Sequence, residues 1–270
     1  MASDPQDPAP EPPPMLRRLL EPGDPTTVQQ LMDELELPTH GIGSRSRPYL
    51  VLNMVSTADG RATLGGRSGA IGNRADKELF HGLRTTVDAV MAGAGTVRAE
   101  RYRRLVRDER RREIRRERGL TEEPLACIVS GRLALNSEIP LLADPGARVA
   151  IVTTSEASLP DECSAEIDYI RATREGALDL PSAMSELHER FGVRTVLCEG
   201  GPHLNSQLLA AGLVDELFLS LSPKLAGGDA MSETLRILSG PEIDPPAALD
   251  LLAALEHESH LFLRYRVASS

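Results

Sequence analysis

The stretch Thr195-Val196-Leu197-Cys198-Glu199-Gly200-Gly201-Pro202-His203-Leu204-Asn205 decides how this chain is read. A short run of apolar and β-branched residues ends on a carboxylate, two glycines break it, and a proline opens the next segment. This predicts a buried strand passing through a tight turn into a helix, whose first position accepts proline because its N–H has no intrahelical partner. Leu204, Leu208 and Ala211 continue that helix on one face, and Gly212 stops it. Immediately upstream, Asp179 caps a second helix with Pro181 in its first turn, Leu180, Ala183, Met184, Leu187 and Phe191 on one face, and Gly192 as its stop.

The same alternation runs through the rest of the chain. Apolar runs at 49–55, 87–92, 125–129, 148–153 and 167–170 read as strands, and Asn73 caps a helix with Ala75, Leu79, Phe80 and Leu83 in one stripe. Strands alternating with helices predict an α/β fold, a mostly parallel central sheet between helical layers. The end departs from this pattern, since 248–255 and 261–267 read as an antiparallel hairpin with its tip at 257–260. Six prolines among the first fourteen residues predict a disordered tail over 1–25. A helical extension over 26–46 follows, with Val28, Leu31, Met32 and Leu35 at helical spacing, and then one domain over 47–270.

Composition narrows the function. The 270 residues carry 40 acids against 30 bases, so no nucleic-acid partner is expected. Cys127, Cys163 and Cys198 form no Cys-x-x-Cys pair, which fits a reducing cytoplasm better than a disulfide framework. No apolar run reaches the roughly 18 residues of a membrane span. The histidines lack metal-ligand spacing, so no metal is expected, and no Gly-x-Ser-x-Gly elbow supplies a nucleophile for acyl transfer. One stretch, 101–118, holds ten arginines against four acids. It reads either as a solvated helix with Asp108, Arg112 and Arg115 or Arg116 at i,i+4 spacing, or as a clamp for an anionic ligand.

Ligands of α/β sheets bind beyond the carboxyl ends of the strands. Two glycine-rich turns lie there, Gly93-Ala94-Gly95-Thr96-Val97 and Glu199-Gly200-Gly201. They are either tight turns or two phosphate seats, and two seats suit a dinucleotide. Neither completes Gly-x-Gly-x-x-Gly. Asn53 interrupts its apolar strand, so its amide either bonds to backbone or faces a ligand. Ser56-Thr57-Ala58-Asp59-Gly60, followed by Gly65, Gly66, Gly69 and Gly72, is either a substrate loop with a movable lid or a surface loop. Glu199 at its strand end is either a partly desolvated carboxylate or a cap for the neighbouring helix.

These stretches, taken with Arg47-Pro48-Tyr49, Ile71-Gly72, His81-Gly82-Leu83-Arg84, Gly212-Leu213-Val214-Asp215-Glu216-Leu217 and Pro223-Lys224-Leu225-Ala226-Gly227-Gly228, resemble the pyrimidine reductase domain of riboflavin biosynthesis. The resemblance spans about 47–267 and implies the dihydrofolate reductase fold, in three α/β/α layers. It implies an NADPH-dependent reduction of an aminopyrimidine ribosyl phosphate to its ribityl form, with a pterin as the alternative substrate and a non-catalytic nucleotide-binding protein as the alternative function. By the same resemblance Gly93, Gly95, Thr96, Val97, Gly200, Gly201 and Leu204 hold the cofactor. Ser130 and Arg132 are placed to meet its 2′-phosphate. Asn53, Thr57, Asp59, Arg84 and Glu199 surround the substrate, with Glu199 or a water assisting the proton step. Two positions depart from the family: lysine is usual at Asn53, and an Asp-Asp-Pro run at Glu100-Arg101-Tyr102. The zinc deaminase motifs of the bifunctional enzymes are absent from this sequence, so it resembles the stand-alone reductases. A homodimer is expected, both from the family and from an apolar edge strand ending at Val267.

Overall fold

In the computed structural model, residues 11–20, 23–37, 46–228 and 235–268 are described. In chain order the elements are β1 (Met15–Arg18), β2 (Thr26–Thr27), α1 (Val28–Asp33), β3 (Tyr49–Thr57), α2 (Arg74–Leu83), β4 (Ala89–Gly93), α3 (Ala94–Ala99), α4 (Glu109–Glu117), β5 (Leu125–Val129), β6 (Arg148–Val152), β7 (Glu166–Ile170), β8 (Thr173–Arg174), β9 (Ala177–Leu178), α5 (Leu180–Phe191), β10 (Thr195–Cys198), α6 (Pro202–Ala210), β11 (Glu216–Ser222), β12 (Leu249–His257) and β13 (His260–Val267). Among the described residues eleven strands form one sheet, in the order β2-β1-β12-β13-β11-β3-β10-β4-β5-β6-β7. From β11 to β7 neighbouring strands run parallel. The remaining four pair antiparallel.

Alternation along β3 explains why the sheet is covered on both faces. Val51 points into the core beneath α1 and α2, whereas Leu50 and Leu52 point into the core beneath α5 and α6. Each such buried side chain contributes about 1.5–3 kcal/mol relative to exposure. The helices begin where their caps predict: Asn73 Oδ1 accepts from Asp76 N at 3.0 Å, and Asp179 Oδ1 accepts from Ser182 N at 3.2 Å. Gly192 ends α5 in the left-handed conformation, φ 66°, which a side chain would strain.

The structure changes several expectations. Met15–Arg18, inside the stretch read as a disordered tail, is a strand: Arg17 and Arg18 pair with Glu256 and Leu255 of β12. Leu16 is fully buried there, and the edge of β12 supplies the backbone partners that a free tail would lack. The helix expected from residue 26 spans only Val28–Asp33, fixed by a capping box between Thr27 and Gln30. The rest of the 26–46 extension includes 38–45, which lie outside the described residues. The strand β11, absent from the expected elements, inserts between β3 and the hairpin. In consequence β13 lies between β11 and β12 and is no edge, so the aggregation argument for a dimer loses its strand. Phe80 leaves the buried stripe of α2, which is Ala75, Leu79 and Leu83.

Candidate active site

The carboxyl ends of β3, β4 and β10 open on a cavity of about 1300 Å³. Its floor is made by the two glycine turns, which touch one another. Gly93 N donates to Gly200 O at 2.8 Å, and Gly201 N donates to Thr96 Oγ1 at 2.9 Å. Gly200 sits at φ 100°, where only glycine is unstrained, and a Cβ there would lie 3.4 Å from Met54 Cε. Gly93, Gly95, Thr96, Gly200, Gly201, Leu204 and Ser130 all line the cavity. Two expected cofactor residues do not. The Val97 side chain is fully buried in the core because it faces inward from α3, and Arg132 is exposed outside the cavity wall. Arg98, the residue after Val97 on α3, does line it and donates to Ala134 O.

Opposite the glycines stands a buried polar cluster. Arg84 Nε and Nη2 donate to the two Glu199 oxygens at 2.6 and 2.8 Å, and Arg84 Nη1 donates to Leu105 O at 2.8 Å. Tyr102 OH donates to Glu199 Oε2 at 2.5 Å. Phe80 lies 4.3 Å beneath the guanidinium, a cation–π contact. Burial, reinforced by the Glu199 carboxylate, pushes the Tyr102 phenol well above its usual pKa, so it remains a donor. Arg84 is held charged against the effect of burial by Glu199. Both Glu199 oxygens are therefore occupied. His81, also on the cavity wall, is pushed down to about 4 by burial and then by Arg84, Arg111 and Arg107, and is neutral at pH 7.

Asn53 lines the cavity, and its amide makes no side-chain hydrogen bond among the described residues. Thr57 and Asp59 do not line it. β3 runs on to Thr57 and carries both past the cavity, where Thr57 Oγ1 donates to Asp59 Oδ1 at 2.5 Å. Asp59 Oδ2 in turn accepts from Ala226 N and Gly227 N at 3.1 and 2.7 Å. The Thr57 hydroxyl and the Gly227 N–H hold the Asp59 carboxyl below its usual range. These two residues fasten the loop after β11 onto the glycine-rich loop, and Lys224 Nζ adds bonds to Ala70 O and Ile71 O at 2.8 and 3.0 Å.

The two halves of the arginine stretch lie in different surroundings, and Arg112 pairs with Glu109 and Glu123 where Asp108 was expected. α4 is a helix capped by Asp108, with Arg110 paired to Glu113 and Arg116 to Glu109. Arg115, however, is completely buried, and its guanidinium donates to the carbonyls of Arg84, Val87 and Thr121. Ahead of the helix, Arg101, Arg103 and Arg107 line the cavity with no carboxylate partner among the described residues. Tyr102 and His81, quoted only within family stretches, and Asp76 were not among the expected site residues, although Asp76, Phe80 and Arg84 stand at i, i+4 and i+8 on one helical face. That spacing was the available signal.

A central sheet between helical layers, with glycine turns meeting a cleft at the carboxyl ends of its parallel strands, defines an α/β protein whose cleft lies where ligands of this class bind. The chain belongs to the RibD C-terminal domain family, whose sequence profile matches residues 48–251. It is 31% identical over 186 residues to a 2,5-diamino-6-ribosylamino-4(3H)-pyrimidinone 5′-phosphate reductase of Archaeoglobus fulgidus, covering 67% of this chain and 83% of that protein. A protein of the same description from Methanothermobacter thermautotrophicus is 29% identical over 206 residues, covering 74% and 88%. Among solved structures, a pyrimidine reductase-like protein of Corynebacterium diphtheriae superposes with a TM-score of 0.73 at 23% identity, covering 91% of this chain and all of that one. The Thermotoga maritima deaminase/reductase gives 0.67 at 20%, covering 89% and 62%. The fold is the dihydrofolate reductase-like one. No described helix is long and apolar enough to cross a membrane.

Proposed function

We propose that this chain reduces an aminopyrimidine ribosyl 5′-phosphate to its ribityl form with NADPH, as a step of riboflavin biosynthesis. The observation that carries the reading is the pairing of a two-glycine floor with an opposing wall of unpaired arginines in one cavity. The residues fit a dinucleotide. Gly93 and Gly95 have no Cβ to fill the space above the floor, and a side chain added at Gly95 would meet nothing within 4 Å. About 1300 Å³ accommodates a cofactor and a small substrate together. When bound, the reduced nicotinamide supplies the hydride, and the protein supplies orientation and a dry site.

Gly93, Gly95, Thr96, Gly200 and Gly201 would seat the pyrophosphate, where backbone amides approach closely. Arg98 and Ser130 lie at the wall where the adenosine end would reach, and favour a 2′-phosphate over a bare hydroxyl. Arg101, Arg103 and Arg107 would take the substrate's phosphate. Asn53 is left to recognise the pyrimidine edge, since its amide is unspent on the fold. The Arg84–Glu199–Tyr102 cluster fixes the wall between the two ligands and keeps water from it.

Purified protein should oxidise one NADPH per ribityl product formed, and only slowly with dihydrofolate. Without substrate, NADPH at a hundred times its Kd should raise the melting temperature by about 5–10 °C, and NADH at the same concentration by much less. Equal protection by the two nucleotides would remove the 2′-phosphate assignment.

A further inference from the structure

The last carbonyls of a helix have no partner within it, and those of α2 are satisfied in two different ways. Gly82 O and Leu83 O are taken locally, by the Thr85 and Thr86 hydroxyls at 2.7 and 2.8 Å. The next carbonyl, Arg84 O, is taken from 31 positions away, by Arg115 Nη1 at 2.5 Å. The same Nη1 donates to Val87 O and Arg115 Nε to Thr121 O, both at 2.7 Å. Arg118, at the end of the same helix α4, donates to Thr85 Oγ1 at 2.6 Å. Arg115 is fully buried, contacts no carboxylate among the described residues, and leaves its Nη2 without a partner there. Burial lowers its pKa to about 10, so at pH 7 it remains a cation against the negative end of α2.

Arg84 is therefore held at both ends. Its carbonyl is fixed from α4, and its guanidinium donates to Glu199 and to Leu105 O. Leu105 belongs to the stretch that presents Arg101, Arg103 and Arg107 to the cavity. The following carbonyl, Val106 O, accepts from Arg112 of α4 at 3.0 Å. Arg115 itself does not line the cavity, and none of its bonds reaches the glycine floor. We propose, resting on the reductase reading, that Arg115 is a positioning residue: it fixes the Arg84 backbone, and through Arg84 it holds the Glu199 carboxylate and the arginine stretch where the substrate meets them. A lysine in its place keeps the charge but lacks the fork that spans Arg84 and Thr121.

Two variants test this. In Arg115→Met the Arg84 Nε–H proton, assigned by its loss in Arg84→Lys, should exchange with solvent at least tenfold faster than in the native protein. Its kcat/KM for the ribosylaminopyrimidine phosphate should fall about 10²-fold, the effect of a displacement of about 1 Å, while the Kd for NADPH stays within threefold. Arg115→Lys should recover part of both losses. A folded Arg115→Met in which either the Arg84 exchange or kcat/KM stays native overturns the proposal. So does a loss of NADPH affinity as large as the loss of kcat/KM, or the failure of both variants to fold, since the arginine then serves the fold as a whole. If the native protein binds NADPH but oxidises none with the ribosylaminopyrimidine phosphate, the functional reading fails instead, and the exchange of the Arg84 Nε–H still decides whether Arg115 positions it.

Discussion

Arg84 and Glu199 show what one residue can and cannot reveal in a sequence. Glu199 was singled out by its type and strand-end position and Arg84 by the family resemblance, but Tyr102, which completes their cluster, meets Glu199 across 97 positions of chain. No local pattern announces such a contact. Thr57 and Asp59 are the opposite case: the sequence places them at the end of a strand but does not say which side of the turn they point to, and the structure sets both outside the cavity lining. The buried pair makes a stability prediction. Arg84→Ala leaves the Glu199 carboxylate without its cation, and urea denaturation should show a loss of about 3–5 kcal/mol. His81 makes a pH prediction. Its folded pKa of about 4 lies below the unfolded value, so the unfolded chain binds the proton first. Stability should fall as pH drops from about 6.5 to 4. His81→Gln should flatten the melting temperature measured across that window.

At the level of elements, the α/β alternation was legible because strands buried on both faces and capped amphipathic helices carry their periods openly. β11 was not, because its Ser220 and Ser222 dilute a strand whose identity comes from the partners either side of it. β1 was hidden by prolines around it, and only the open edge of β12 gives Met15–Arg18 a reason to be extended. Removing residues 1–18 would therefore bare the end of β12 at Leu255 and Glu256, extending an edge on which Leu249 and Leu251 are already exposed. Light scattering should then show association that grows with concentration, above that of the intact chain.

Across the whole molecule, charge is distributed against its sum. A chain of formal charge −10 lines its cavity with Arg98, Arg101, Arg103, Arg107 and Arg236. Anionic ligands are thus drawn to one place on a molecule that otherwise repels them. Stopped-flow association of NADPH should slow several-fold between 0.05 and 0.5 M salt, as the screening length shortens from above to below about 10 Å. The sheet that carries this cavity also has an order of assembly built into it. Arg17 leaves the ribosome 239 positions ahead of its partner Glu256. The parallel half can form while synthesis continues, but β1 has nothing to close against until β12 has emerged, so a strand translated before the parallel half joins the sheet after it.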